Sequence, residues 1–596
     1  MTFRDLNKLN YIEKTIIWIH DTIDARQFLI FSSILVGLTA GLASVILKMF
    51  VHLIKEYVLD GYLLKVDFKF VYLFLPFIGI GLTILIVKFF FQGKLNRGTA
   101  SILFSVAKKG SFLAPRQMYS HIITSALTVG FGGSAGLESP IVSTGSAIGS
   151  NFAQRYKLSY KDRTLLLAAG AAGGIAGAFN APIAGVLFAL EVLLIDINIS
   201  AFIPLLIASA SGTLISKILL KESVLLYFDF RQPFDYHNLG YYIIMALLAG
   251  IVSIYHVNFF NRVEERFEKI NSLFKKWLLS CCCLALVLAF FPSLYGEGYD
   301  SIKNLANMQS YLLFKDSVLY GLTDNRLVLI LLVLASFLLK AVAVGITLGG
   351  GGNGGNFAPS LFVGAGLGFV FASTLQLLGF QDIPVVNFTL VTMAGILSGV
   401  FHAPLTAIFL IAEITGGYEL IIPLMLVSST SFAFVKYFHP ESIEIRKLKK
   451  RGAIISDDKD TTILAKIEVT SLLDKSFSEI RPDDSLRQIV ESVKHSKRNT
   501  YPVIDKKGCL FGIIFLDDIR EEMFDLKLYD KVHARELVYK RVTKIFIDDD
   551  IFTIMKKFDE SGQWNLPVVE SDNSYLGFIA KSSILTKYRE ELILSR

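Results

Sequence analysis

Apolar stretches interrupted by glycine and proline run from residue 28 to about 438. Segments 28–58, 69–92, 200–220, 238–260, 276–292, 328–347 and 419–438 are the long ones, and several reach the roughly 20 residues that cross a bilayer as a helix. Lipid supplies no hydrogen bonds to a backbone, so such stretches must satisfy their own polar groups, which restricts them to helices or closed barrels. Segments 139–153, 182–197 and 404–414 are shorter and bounded by Gly or Pro. They predict broken helices that stop part way through the membrane, a transporter trait. Charged residues are only 19% of the 596-residue chain and hydrophobic residues 53%, too little polar surface to coat a large soluble enzyme. The same balance excludes a disordered chain, a collagen-like fibre and a small disulfide scaffold.

The formal net charge is +7. Basic residues gather near the start of the chain and at Arg446, Lys447, Lys449, Lys450 and Arg451, flanking apolar spans. The positive-inside rule accounts for both clusters and places both ends in the cytoplasm; a multi-pass protein of a bacterial inner membrane is expected. No nucleic-acid partner is expected, since neither cluster comes with a nucleic-acid-binding fold signature. Cys281, Cys282 and Cys283 point about 100° apart on a helix and cannot converge on one metal, and no metal or disulfide pattern is present. The opening residues, MTFRDLNKLNYIEKTIIWIH, are mixed and amphipathic, unlike a signal-peptide core. Residues 1–27 are expected as a cytoplasmic N-terminal helix.

The membrane part is internally duplicated. Gly173, Gly177, Phe179, Ala181, Pro182 and Glu191 recur as Gly395, Gly399, Phe401, Ala403, Pro404 and Glu413, all at an offset of 222 (404 − 182). Upstream of each lies a glycine-rich turn, GGSAGLESP ending at Pro140 and GGNGGNFAP ending at Pro359, at an offset of 219 (359 − 140). A duplicated membrane block with broken helices places its substrate where the repeats meet, near the midplane. After residue 450 charged residues alternate with short β-like runs, a soluble α/β texture. That tail is duplicated too: Asp484, Ile489, Pro502 and Gly512 match Asp549, Ile554, Pro567 and Gly577 at an offset of 65. Each copy is small for an independent domain, so the two are expected to pack as a pair.

Both glycine turns run into a helix, with proline in its first turn. A helix N-terminus presents unpaired N–H groups and partial positive charge, so two of them converging would hold an anion without a full cation and still release it. Glu138 sits in the first turn, and an ionisable group at membrane depth is a functional candidate. Its carboxylate can occupy the anion's place and leave on protonation. The plainer alternative is that Glu138 only caps its own helix.

These motifs resemble those of the CLC chloride channels and transporters. GGSAGLESP looks like the GxEGP signature, GGNFAP like GxFxP, and AGAFNAPIAGVLFALE is also similar to CLC sequences, while the tail resembles a pair of CBS domains. The resemblance implies an all-α polytopic membrane protein, an inverted repeat of broken helices, followed by a cytoplasmic α/β CBS pair. It divides the chain into a pore at 28–445, a linker at 446–465 and CBS copies at 466–525 and 526–596. It implies a homodimer with one pore per subunit, chloride or a similar monovalent anion as substrate, and no enzymatic activity. Glu138 matches the family's gating glutamate, Gly136 and Leu137 lie in the anion-binding turn before it, and the backbone amides of Asn356 and Phe357 match central anion ligands.

Several positions depart from the family. Ungapped matching puts Arg97 at the anion-coordinating serine and Glu444 at the pore tyrosine. They are expected to pair and tune the inner gate, unless each simply faces water. The inward proton-relay glutamate is replaced by Val192, which favours passive or weakly coupled chloride conduction over a coupled chloride/proton antiporter. Ser139 replaces a glycine. In the tail, GIIFLDD resembles the CBS ribose-binding segment, with Asp518 as candidate nucleotide ligand and Ser583 at the matching position, so one adenine-nucleotide site is expected rather than two, the equal alternative being a dimerisation module with no ligand. No cofactor is required. A further reading, from another class, is a non-conducting membrane sensor run by its CBS tail.

Overall fold

The computed structural model describes residues 16, 18–19, 22–57, 71–93, 95, 97–193, 199–220, 233–380, 382–450, 464 and 467–594. The chain divides into two compact units, residues 1–453 and 454–596. The expected N-terminal helix and linker fall largely outside the described residues. The expected pore boundary at 445 lies inside a helix, Ile443–Lys450, and the first unit runs past it.

The first unit is helical. Its helices are α1 (Ala25–Lys55), α2 (Leu75–Phe90), α3 (Thr99–Lys108), α4 (Gln117–Gly130), α5 (Glu138–Arg155), α6 (Tyr160–Phe179), α7 (Pro182–Phe188), α8 (Ile199–Leu220) and α9 (Leu239–Glu268). There follow α10 (Leu273–Phe290), α11 (Tyr299–Ala306), α12 (Arg326–Gly349), α13 (Phe357–Leu377), α14 (Val385–Phe401), α15 (Pro404–Ile414), α16 (Ile421–Phe438) and α17 (Ile443–Lys450). Among the described residues, eight helical segments are long and apolar enough to cross a membrane. Exposed leucine, isoleucine and phenylalanine side chains on α1, α2, α8 and α10 face outward, as a lipid-solvated surface requires.

The helices repeat as the sequence does. α4 ends at Gly130 and α12 at Gly349 (349 − 130 = 219). α6 and α14 end on left-handed residues, Asn180 and His402 (402 − 180 = 222). The contacts are reciprocal, as a two-fold relation demands. Glu191 accepts from the Leu405 and Thr406 N–H groups opening α15 (3.0 and 2.8 Å), and Glu413 accepts from Ile183 and Ala184 opening α7 (3.0 and 2.9 Å). Each half thus supplies the acid that caps a helix start in the other. Small residues let α5 and α6 touch backbone to backbone: a Cβ on Gly145 would lie 2.2 Å from the Gly170 carbonyl.

The second unit holds two like modules. Helix α18 (Leu486–His495) precedes the hairpin β1 (Thr500–Ile504) and β2 (Leu510–Phe515); α19 (Ala534–Leu537) and β3 (Ile545–Phe546) lead to α20 (Ile551–Ser561), β4 (Asn565–Val569), β5 (Tyr575–Ala580) and α21 (Lys581–Leu594). The hairpins share one register, Thr500 opposite Phe515 and Asn565 opposite Ala580, and both shift before the last residue of their first strand. The copies bond reciprocally: Leu510 N–H to the Asn573 carbonyl (3.1 Å) and Tyr575 N–H to the Gly508 carbonyl (3.0 Å). They pack as a pair, as their size predicts.

Candidate functional site: two helix starts closed by a carboxylate

The two glycine turns meet. Gly136 and Gly355 exchange backbone hydrogen bonds, each N–H giving to the other's carbonyl at 2.8 Å. Two threonine hydroxyls fix the approach: Thr347 Oγ1 accepts from the Ser134 N–H (3.1 Å) and Thr128 Oγ1 from the Asn353 N–H (3.0 Å). These are repeat mates (347 − 128 = 353 − 134 = 219), so each half pins the other's turn. Neither threonine stood out in the sequence; the signal lay in the same 219 offset, read eight residues before each bridging glycine. On Asn353, the side chain also gives to Thr124 Oγ1 (2.7 Å) and lies 3.4 Å from His121 Nδ1.

This bridge brings α5 and α13 start to start. Glu138 opens α5 and is buried, 3% exposed. Its carboxylate keeps a hydrogen bond from its own backbone N–H and also reaches the other half: Oε2 accepts from the Ala358 N–H in the first turn of α13 (3.4 Å), and Oε1 from the Tyr299 hydroxyl (2.7 Å). The negative group from one half therefore occupies the anion-attracting end of the other. The close fit needs glycine at 136, where a Cβ would lie 2.1 Å from Oε2.

The remaining expected residues lie as follows. Leu137, Asn356 and Phe357 are buried beside Glu138 at the starts of α5 and α13. The Gly136 N–H is engaged by the Gly355 carbonyl. Asn356 Oδ1 lies 2.9 Å from Nε2 of buried His256, and Asn356 Nδ2 and His256 Nδ1 are buried without a partner. Arg97 and Glu444 both line the cavity described below, yet they are not bonded to each other. The Arg97 guanidinium gives to the Leu348 and Gly351 carbonyls at the end of α12 (3.3 and 2.9 Å), and Glu444 accepts from the Ala100 N–H at the start of α3 (2.8 Å). Cation on helix end and anion on helix start satisfy each charge locally, which corrects the expected pair. Val192 lies in the turn that follows α7, partly buried. In the tail, Asp518 is exposed just after β2, and the Ser583 hydroxyl gives to the Ala580 carbonyl (2.7 Å).

Two cavities reach Glu138. The larger, about 710 Å³, is lined by Glu138, Asn356 and Phe357 and also by Arg97, Glu444 and Lys447. The smaller, about 300 Å³, is lined by Glu138 and Tyr299 together with Lys48, Lys55, Glu297 and Lys303. A buried carboxylate that lines two cavities and is seated on opposed helix starts in an apolar helical bundle marks a site whose helix ends would attract an anion.

The sequence comparisons specify the class. Residues 79–436 match the family described as voltage gated chloride channel, and residues 469–525 and 534–590 each match the CBS domain. The chain belongs to the CLC family of chloride channels and transporters and carries a CBS pair. It is 28% identical over 326 residues to the voltage-gated ClC-type chloride channel ClcB of Escherichia coli, covering 54% of this chain and 73% of that one. It is 27% identical over 310 residues to the H(+)/Cl(-) exchange transporter ClcA of Vibrio vulnificus, covering 50% of this chain and 62% of that one. Among solved structures, a slow cyanobacterial Cl-/H+ antiporter aligns with TM-score 0.62 at 23% identity over 72% of this chain and 99% of its own. A eukaryotic CLC transporter aligns with TM-score 0.60 at 18% identity over 93% and 97%. At these identities the structural likeness concerns the fold.

Proposed function

We propose that this protein moves chloride or a similar monovalent anion across the bacterial inner membrane in exchange for protons, with Glu138 as both gate and proton carrier. The observation that carries the reading is the position of one carboxylate, bonded to the Ala358 N–H in the anion's place and lining both cavities. Protonation removes its charge, weakens its hold on the helix start and lets an anion take the site; the proton is carried to whichever side the side chain then faces. The larger cavity is the cytoplasmic one, since its lining includes the basic residues around Lys447. A CLC fold implies one such pore in each subunit of a homodimer, with the CBS pair in the cytoplasm binding an adenine nucleotide at Asp518. The ClcA relatives named as exchangers and the antiporter among the fold neighbours favour coupling.

Passive conduction is the second reading, and Val192 is the observation in its favour, because valine relays no proton. The larger cavity offers protons another way, as water reaching Glu138 past Glu444 and Glu264.

Full-length protein in liposomes, with chloride efflux and proton movement recorded together, separates the readings. Exchange predicts proton uptake in fixed ratio to chloride efflux, and Glu138→Ala abolishes the proton movement while chloride continues to flow. Chloride efflux with no proton movement in the unaltered protein selects passive conduction. No flux in either protein overturns transport.

A further inference from the structure

We propose that Tyr299 is the latch of this gate: its hydroxyl holds the Glu138 carboxylate closed, then becomes a donor to the anion that replaces it. The inference rests on the gating role proposed for Glu138 and adds a residue that the sequence motifs do not contain. Of the two hydrogen bonds the carboxylate accepts from other residues, that from Tyr299 is much the shorter, 2.7 Å against 3.4 Å from Ala358. A phenol giving to a carboxylate makes a charge-assisted bond, stronger than a neutral one. Without the phenol the gate would rest on the long Ala358 contact and its own backbone N–H.

The phenol is built into place. Tyr299 opens α11 directly after Gly298, whose φ of +100° turns the chain into the site. Its ring meets Phe179 edge to face, centroids 6.4 Å apart, and Phe179 in turn packs on Phe357 at 5.7 Å. The latch is thereby fixed to the C-terminal end of α6 and to the start of α13, the helix whose N–H groups the gate covers. Tyr299 also lines the smaller cavity beside Glu138. An anion entering from that cavity meets the hydroxyl and can accept the hydrogen bond as the carboxylate gives it up. The exchange leaves the phenol hydroxyl with an acceptor throughout.

The test is unidirectional chloride flux from liposomes holding the full-length protein at alkaline pH, where the gate is ionised and closure limits the rate. Removing a hydrogen bond to a charged group predicts that Tyr299→Phe raises this flux roughly tenfold or more. The number of chloride ions moved per proton should rise with it, because the gate opens without waiting for protonation. In a Glu138→Ala background the rise should be absent, since there is no carboxylate to release, and flux should fall instead as the anion loses its donor. Unaltered flux in Tyr299→Phe, or an equal change with and without Glu138, overturns the latch while leaving the gate intact. If Glu138→Ala itself alters neither flux nor proton movement, the gating reading fails and the latch with it. Should Tyr299→Phe not yield folded protein, Tyr299→Leu carries the same expectation, because it too lacks the hydroxyl.

Discussion

At the residue scale, the site is a matter of a few atoms in contact. Gly136 matters because its missing side chain leaves room for the Glu138 carboxylate; a methyl there would lie 2.1 Å from Oε2. Gly136→Ala is expected to push the carboxylate off the α13 start, raising chloride flux at alkaline pH several-fold in a Glu138-dependent way, as measured by efflux from liposomes. A fall in flux would show that the methyl obstructs the anion instead. Thr128 and Thr347 carry the turns. Removing either hydroxyl strands a buried amide, at a cost of about 1–3 kcal/mol. Thr128→Val should cost more than Thr347→Val, because the Thr128 hydroxyl also bonds Thr83 Oγ1 (2.9 Å), and serine at either position should recover most of the loss. Thermal unfolding in detergent reads both. Glu138 and the glycine turns were legible in the sequence, since a lone carboxylate among glycines is conspicuous. Tyr299 was not legible: it lies 161 residues away, in a stretch without a motif, and only folding brings it to 2.7 Å.

At the element scale, the duplicated spacing predicted paired helices, and the structure gave them paired ends. The offsets identified Glu191 and Glu413 as mates without saying what they do. They cap helix starts across the repeats, α15 from Glu191 and α7 from Glu413. Glu191→Ala and Glu413→Ala should each destabilise the protein by about 1 kcal/mol or more, as the loss of a helix-start cap predicts, and Glu191→Ala the more, because Glu191 also accepts from the Thr406 hydroxyl (2.7 Å). A thermal midpoint unchanged in either of them would overturn the capping role. The expected pairing of Arg97 with Glu444 shows the opposite case. Opposite charges at positions thought to share a vestibule invite pairing, but helix ends offered each a nearer partner. Sequence spacing cannot show where the terminus of a distant helix falls.

At the scale of the whole molecule, a pore unit and a tail unit each carry an internal two-fold relation, visible in the sequence as offsets of 219, 222 and 65. The tail offers a separate test. Asp518 is exposed after β2 while the matching Ser583 hydroxyl is taken up by the Ala580 carbonyl. Full-length protein should bind ATP at one site per chain, Asp518→Ala should weaken that binding at least tenfold on the scale of a lost charged hydrogen bond, and Ser583→Ala should leave it unchanged; equilibrium titration distinguishes these.

By itself the sequence determined the solvent, the repeats and the chemistry of the turns. Apolar length, glycine, proline and a solitary carboxylate act locally, and their physical demands can be read in order along the chain. Only the tertiary structure decided which groups meet around Glu138. Gly136 on Gly355, Glu138 on Ala358 and Tyr299, and the two threonines on opposite turns all join residues more than 150 positions apart. Hydrogen bonds act over about 3 Å, so which of these partners meet is set by how the two halves pack, and no spacing within one half encodes it.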